Sequence, residues 1–165
     1  MVKKKESNVL RGKKSRAAGK RFELKVRQRL EEMDWIVARW TNTVEYEKDG
    51  KIPKLVPAKP KFRFDPKIRR MIVAGIGNGF PDFVAFKKVE NFTDADGVEH
   101  DIGYEVIGLE VKANGYLDQK EKSMCHWLLD NKVFSRILIA KKGKERGKID
   151  YIDFKEKYKK DFNSK

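Results

Sequence analysis

The sequence has one cysteine, Cys125, and two histidines, His100 and His126, in 165 residues. A single thiol cannot close an internal disulfide, and it excludes a cysteine-based zinc cluster. No apolar run approaches the ~20 residues needed to span a bilayer. The lysine-rich N-terminus is not followed by an apolar core, so it does not read as a secretory signal peptide. The chain is expected to be soluble and intracellular, in the cytoplasm or with the nucleoid. Acidic residues are the minority: 25 Asp and Glu face 39 Lys and Arg, for a net charge of +14. A surface this basic points to a polyanionic partner, most often nucleic acid. The basic stretches lack the broad apolar face of an interfacial helix, which argues against a membrane surface. Proline is scarce and uneven, with four of five in residues 42–75.

What is present suffices for one domain with a real core, since hydrophobic residues make up 39% of the chain. Residues 1–14 are polar, basic and without periodicity, which predicts a flexible tail. Residues 1–30 hold twelve Lys or Arg and two Glu. From residue 15 to about 33, Ala18, Phe22, Val26, Leu30 and Met33 recur at steps of four and three, the stripe of an amphipathic helix. Residues 35–41 are rich in β-branched and aromatic side chains and read as a strand. The 42–75 segment carries eight Lys or Arg between 51 and 70. It reads as a long basic loop, with room for a small hairpin around Asp49-Gly50. Gly75, Gly77 and Gly79 then alternate up to Pro81, which suggests a tight backbone bend.

Residues 82–89 and 103–112 are expected to pair as a hairpin. The Asp94-x-Asp96-Gly97 between them resembles the opening of a calcium loop, but the rest of that pattern is missing and a turn is the better reading. A helix should follow, with Asp118 as N-cap, Glu121 as its capping-box partner, and Cys125, Leu128 and Leu129 facing inward. Residues 134–140 and 149–154 read as strands, and 156–165 as a lysine-rich tail. The order helix, strand, strand, strand, helix, strand describes an α/β domain over 15–155, a mixed β-sheet flanked by helices.

Three charged residues stand at the ends of apolar strands. Asp82 follows Pro81 and leads Phe83-Val84-Ala85-Phe86, while Glu110 and Lys112 close Val106-Ile107-Gly108-Leu109-Glu110-Val111-Lys112. A lone charge buried there would cost several kcal/mol, so each needs a partner. The pattern acid-x-Lys means little alone, because it occurs seven times in this lysine-rich chain. Only Glu110 closes a long apolar strand with a Pro-Asp-led strand upstream. Side-chain alternation puts Glu110 and Lys112 on one face and Val111 on the other. In a hairpin, Asp82 falls opposite the end of the second strand, so all three residues meet at one sheet margin. The plain alternative is a structural Lys–Glu pair with Asp82 merely opening its strand.

Pro81-Asp82 followed by Glu110-Val111-Lys112 resembles the signature of the PD-(D/E)XK nucleases, the restriction-endonuclease-like superfamily. The arrangement is most similar to archaeal Holliday-junction resolvases and VRR-NUC nucleases, and the likeness covers roughly residues 16–140 in pieces. The 28 residues from Asp82 to Glu110 are more than is usual in junction resolvases, and the 42–75 segment looks like an insertion. The resemblance implies a Mg²⁺-dependent endodeoxyribonuclease acting on branched DNA, with Mn²⁺ as a substitute metal. It implies Asp82, Glu110 and the Val111 carbonyl as metal ligands and Lys112 as the group that orients water or stabilises charge. Glu23 would be an outer ligand, and Gln119 would position water or backbone. Lys13, Lys14, Arg16, Lys20, Arg39, Arg69, Arg70 and Lys87 are candidate phosphate contacts. A homodimer follows from the two symmetric nicks of a junction. Alternatives are a nuclease for flap, linear or single-stranded DNA, and a non-catalytic nucleic-acid-binding module. A Cys125–His126 nucleophile pair is rejected, because adjacent helical side chains diverge by about 100°.

Overall fold

The computed structural model describes residues 2–46, 52–75, 77, 79–93 and 97–159. Its elements are α1 (Val2–Glu31), β1 (Ile36–Arg39), β2 (Asn42–Glu45), β3 (Lys54–Pro57), β4 (Lys61–Asp65), β5 (Arg70–Gly75), β6 (Phe83–Thr93), β7 (Glu99–Val111), α2 (Gln119–Asp130), β8 (Arg136–Lys142), β9 (Ile149–Asp153) and α3 (Phe154–Lys157). The architecture is mixed α/β. A five-stranded sheet runs β1-β6-β7-β8-β9, with β7 and β8 parallel and the other neighbours antiparallel. The parallel pair needs a crossover, and α2 supplies it. Two small sheets, β2-β3 and β4-β5, lie in the chain between β1 and β6.

Strand alternation divides the core between the two faces of the large sheet. On one face Val26 and Leu30 of α1 pack on Val37, Phe83, Ala85, Ile107, Leu109 and Ala140. On the other, Met124, Cys125, Leu128 and Leu129 of α2 meet Phe134, Ile137, Ile139 and Phe154. The capping box at the start of α2 is complete, with Glu121 N donating to Asp118 Oδ1 and Asp118 N to Glu121 Oε2.

Three elements differ from the sequence expectation. First, α1 starts at Val2, so the helix takes in the segment expected as a tail. Residues 10–21 are exposed on every side. No packing holds that stretch, so Lys, Arg and Ala sustain it by intrinsic propensity. At its other end the helix stops at Glu31, with Asp34 in the left-handed region at φ 63°, so Met33 falls outside the stripe. Second, the 42–75 segment is not a plain loop but holds four short strands, β2 to β5. The hairpin tip expected at Asp49-Gly50 lies outside the described residues, although β2 and β3 that flank it do pair. Third, β6 and β7 are longer than expected. They continue past their neighbours as a two-stranded ribbon to Thr93 and Glu99, which accounts for the wide spacing of Asp82 and Glu110. Of the Asp94-x-Asp96-Gly97 stretch, residues 94–96 lie outside the described residues, and Gly97 stands in the left-handed region at φ 82°.

The glycines before Pro81 serve close approach more than bending. A Cβ on Gly79 would run into the backbone of Trp40 and Asn42, and one on Gly77 into the Lys59 carbonyl. Gly108 plays the same part opposite, where a Cβ would lie 2.9 Å from Pro81 Cγ and 3.0 Å from Phe134. Pro81, buried and joined to Phe80 by a cis peptide bond, therefore sits against β7 and sets where Asp82 begins.

Candidate active site

The last ladder pair of the hairpin is Phe83 with Leu109, so Asp82 comes opposite Glu110 one step beyond. Asp82 N donates to Glu110 Oε2 at 3.1 Å, and Val111 N donates to Asp82 Oδ2 at 3.0 Å. Lys112 Nζ lies 3.1 Å from Glu110 Oε1 and donates to Glu121 Oε1 at 2.5 Å. The expected trio is thus assembled at one margin of the sheet, on the face that α2 covers.

Burial sets the electrostatics. Glu110 is 5% exposed, and its carboxyl is pushed up to about 8, first by desolvation and then by the Asp82 charge, against the pull of Lys112. The Asp82 carboxyl is likewise raised by burial and by Glu23; the Val111 N–H, Lys112 and Arg39 hold it back. For Lys112, burial favours the neutral amine, but the hydrogen bond it donates to Glu121 and the Glu110 charge prevail and keep it an ammonium. The margin holds Asp82, Glu110 and Glu121 against one ammonium. An excess of desolvated carboxylate suits a hard divalent cation, whose preferred ligands are oxygens. Among the described residues, no group of three or more His, Cys, Asp or Glu side chains is gathered closely enough to hold a metal. The fit therefore rests on two carboxylates with the adjoining backbone.

Glu23 reaches this margin from the α1 side. Its carboxylate accepts from Arg39 Nη2 at 3.0 Å, and its charge acts on Asp82. Arg39, in the same bond, also lies over the Phe83 ring at 5.6 Å. Gln119 is exposed at the first position of α2, and it is Glu121, two residues on, that turns to Lys112. Sequence reasoning gave Glu121 the cap alone. Its second role shows only once the β7–α2 connection folds back, though an acid one helical turn past an N-cap is a signal worth weighing. Lys87 donates to the Met33 carbonyl at 2.8 Å, so its ammonium is tied to the end of α1. Lys13, Lys14, Arg16 and Lys20 are exposed along α1, and Arg69 and Arg70 on the β4–β5 hairpin. Cys125 is fully buried and its thiol is held protonated by that burial, consistent with a core role.

No family of known proteins, no curated sequence and no solved structure matches the chain. The five-stranded mixed sheet and its carboxylate margin therefore stand on their own geometry.

Proposed function

We propose that the protein is a Mg²⁺-dependent endodeoxyribonuclease of the PD-(D/E)XK type, with a restriction-endonuclease-like core and branched DNA as the favoured substrate. One observation carries the reading: Asp82 and Glu110, 28 residues apart, meet where the Asp82 backbone N–H donates to Glu110 Oε2 at 3.1 Å, with the Asp82 charge acting on Glu110 and Lys112 beside them. Desolvating two like charges side by side is costly unless a cation or a proton compensates. Asp82, Glu110 and the Val111 carbonyl would hold Mg²⁺, or Mn²⁺ in its place, which when bound supplies an activated hydroxide and neutralises charge on the phosphate. Lys112, kept an ammonium, is the group to orient the attacking water or steady the anionic phosphate. Glu110 and Glu121 pin that ammonium from two sides. Glu23, through Arg39, completes the acidic margin. Lys20 and Arg16 lie three and seven residues before Glu23, on the same side of α1, and extend a positive track away from the site. A junction with two symmetric nicks would call for a homodimer.

A second reading, a non-catalytic DNA-binding module, is favoured because, among the described residues, no three acids are gathered closely enough to hold a metal. Cleavage decides between the two. Wild type and Asp82→Ala are incubated with Mg²⁺ on junction, flap, linear duplex and single-stranded DNA. Mg²⁺-dependent nicking by wild type, lost in Asp82→Ala while DNA binding persists, supports the nuclease. Cleavage by neither protein leaves the binder, and equal cleavage by both overturns the mechanism centred on Asp82. Faster cutting of unbranched DNA would overturn the junction preference.

A further inference from the structure

The β4–β5 hairpin is an isolated two-stranded sheet. Such a ribbon is marginal in water unless something covers it. Its register pairs Phe62 with Val73 and Phe64 with Met71, so alternation gathers these four side chains on one face. Each is about 60% exposed, and no described residue covers them. The opposite face and the turn carry Arg63, Lys67, Arg69 and Arg70, all exposed, with Asp65 the one acidic residue between Lys61 and Gly75. A contiguous apolar face of this kind marks a contact surface. The charge beside it selects a polyanion over an apolar protein partner.

The hairpin is also rooted beside the candidate active site. Gly77 lies against the Lys59 carbonyl, closing the base of the ribbon, and Gly79 presses on Trp40 and Asn42. Phe80 N donates to the Asn42 carbonyl at 2.8 Å, and Trp40 N to the Asp82 carbonyl at 3.2 Å. The ribbon thus leaves the domain within a few residues of Asp82. Phe62 and Phe64 are two residues apart on one face, about 7 Å, or roughly twice the rise between stacked bases. We infer that this face takes unpaired bases of a DNA strand, stacked on Phe62 and Phe64, while Arg63 and Arg70 hold the flanking phosphates. Aromatic platforms of this sort bind single strands without reading sequence. The assignment deepens the nuclease reading and rests on its choice of DNA as partner, giving that site a means to prefer DNA with splayed or single-stranded bases.

The test is binding in EDTA, by fluorescence anisotropy of a labelled single strand, a blunt duplex and a duplex with a gap. Phe62→Ala/Phe64→Ala should weaken binding to the single strand and the gap about tenfold or more, and to blunt duplex less than threefold. Phe62→Trp/Phe64→Trp should restore the preference, with indole fluorescence quenched by bases, which separates lost stacking from a lost hairpin. An equal loss on all three DNAs, no loss, or failure of the Trp pair to restore would overturn the proposal. So would an alanine variant that sediments as a smaller species than wild type without DNA, because the face would then belong to a second copy. Cleavage plays no part in the readout. A wild type that fails to cut leaves this result standing, and a failed preference leaves Asp82-dependent cutting standing.

Discussion

Glu110 sits where the fold opposes its ionisation, and the consequence is a pH dependence of known sign. Its carboxyl lies near 8 when folded against 4.5 ordinarily, so the folded state favours the proton. That contribution to stability is complete below about pH 4.5 and is lost as pH rises through about 8. Asp82, raised by the same burial, adds in the same direction. In EDTA, the thermal midpoint of wild type relative to Glu110→Gln should therefore fall between pH 5 and 9, and a flat or rising difference would contradict the burial. Cation binding needs ionised carboxylates, so Mg²⁺ should bind more tightly across the same interval. Glu121 allows a separate test. Glutamine also serves as a capping-box partner, so Glu121→Gln keeps the start of α2 but removes the charge that pins Lys112. In the nuclease reading, single-turnover cleavage should drop about 10- to 100-fold, with unfolding temperature and DNA binding little changed. Unaltered cleavage would reduce Glu121 to its cap.

At the level of elements, α1 separates into two parts with different physics. Its C-terminal half is held by Val26 and Leu30 against the sheet. Residues 10–21 bury nothing and hold six Lys or Arg with no acid. Replacing Lys13, Lys14, Arg16 and Lys20 by glutamine should thus leave stability unchanged. It should flatten the slope of log Kd against log salt by about 0.9 for each duplex phosphate that the variant no longer neutralises. An unchanged slope in a salt titration would remove α1 from the DNA path. The same contrast explains which elements the sequence makes visible. The hairpin of β6 and β7 was legible because each strand carries an unbroken apolar run, and the inner face of α2 because its apolar residues recur at the helical period. The start of α1 was not, since an exposed helix needs no stripe. The strands β2 to β5 were hidden for a related reason: they are short and mostly half-buried or exposed, basic residues open β3, β4 and β5, and Arg63 divides Phe62 from Phe64.

Across the whole molecule, charge and fold are set by different residues. The +14 surface belongs largely to side chains the core does not use, so binding should respond to salt as a whole while the folded domain does not. The meeting of Asp82, Glu110 and Lys112 was legible because strand alternation and one hairpin suffice to specify it. The partnership of Lys112 with Glu121 was not, because it depends on how the crossover helix returns. Leu109 and Glu110 are neighbours on β7 that face opposite layers, the first into the α1 core and the second into the acidic margin. Shifting the β6–β7 ladder by a single residue would drive a carboxylate among Val26 and Leu30 and strip leucine from its packing. A misaligned chain would therefore lose its core along with its chemistry, and the molecule checks its own assembly.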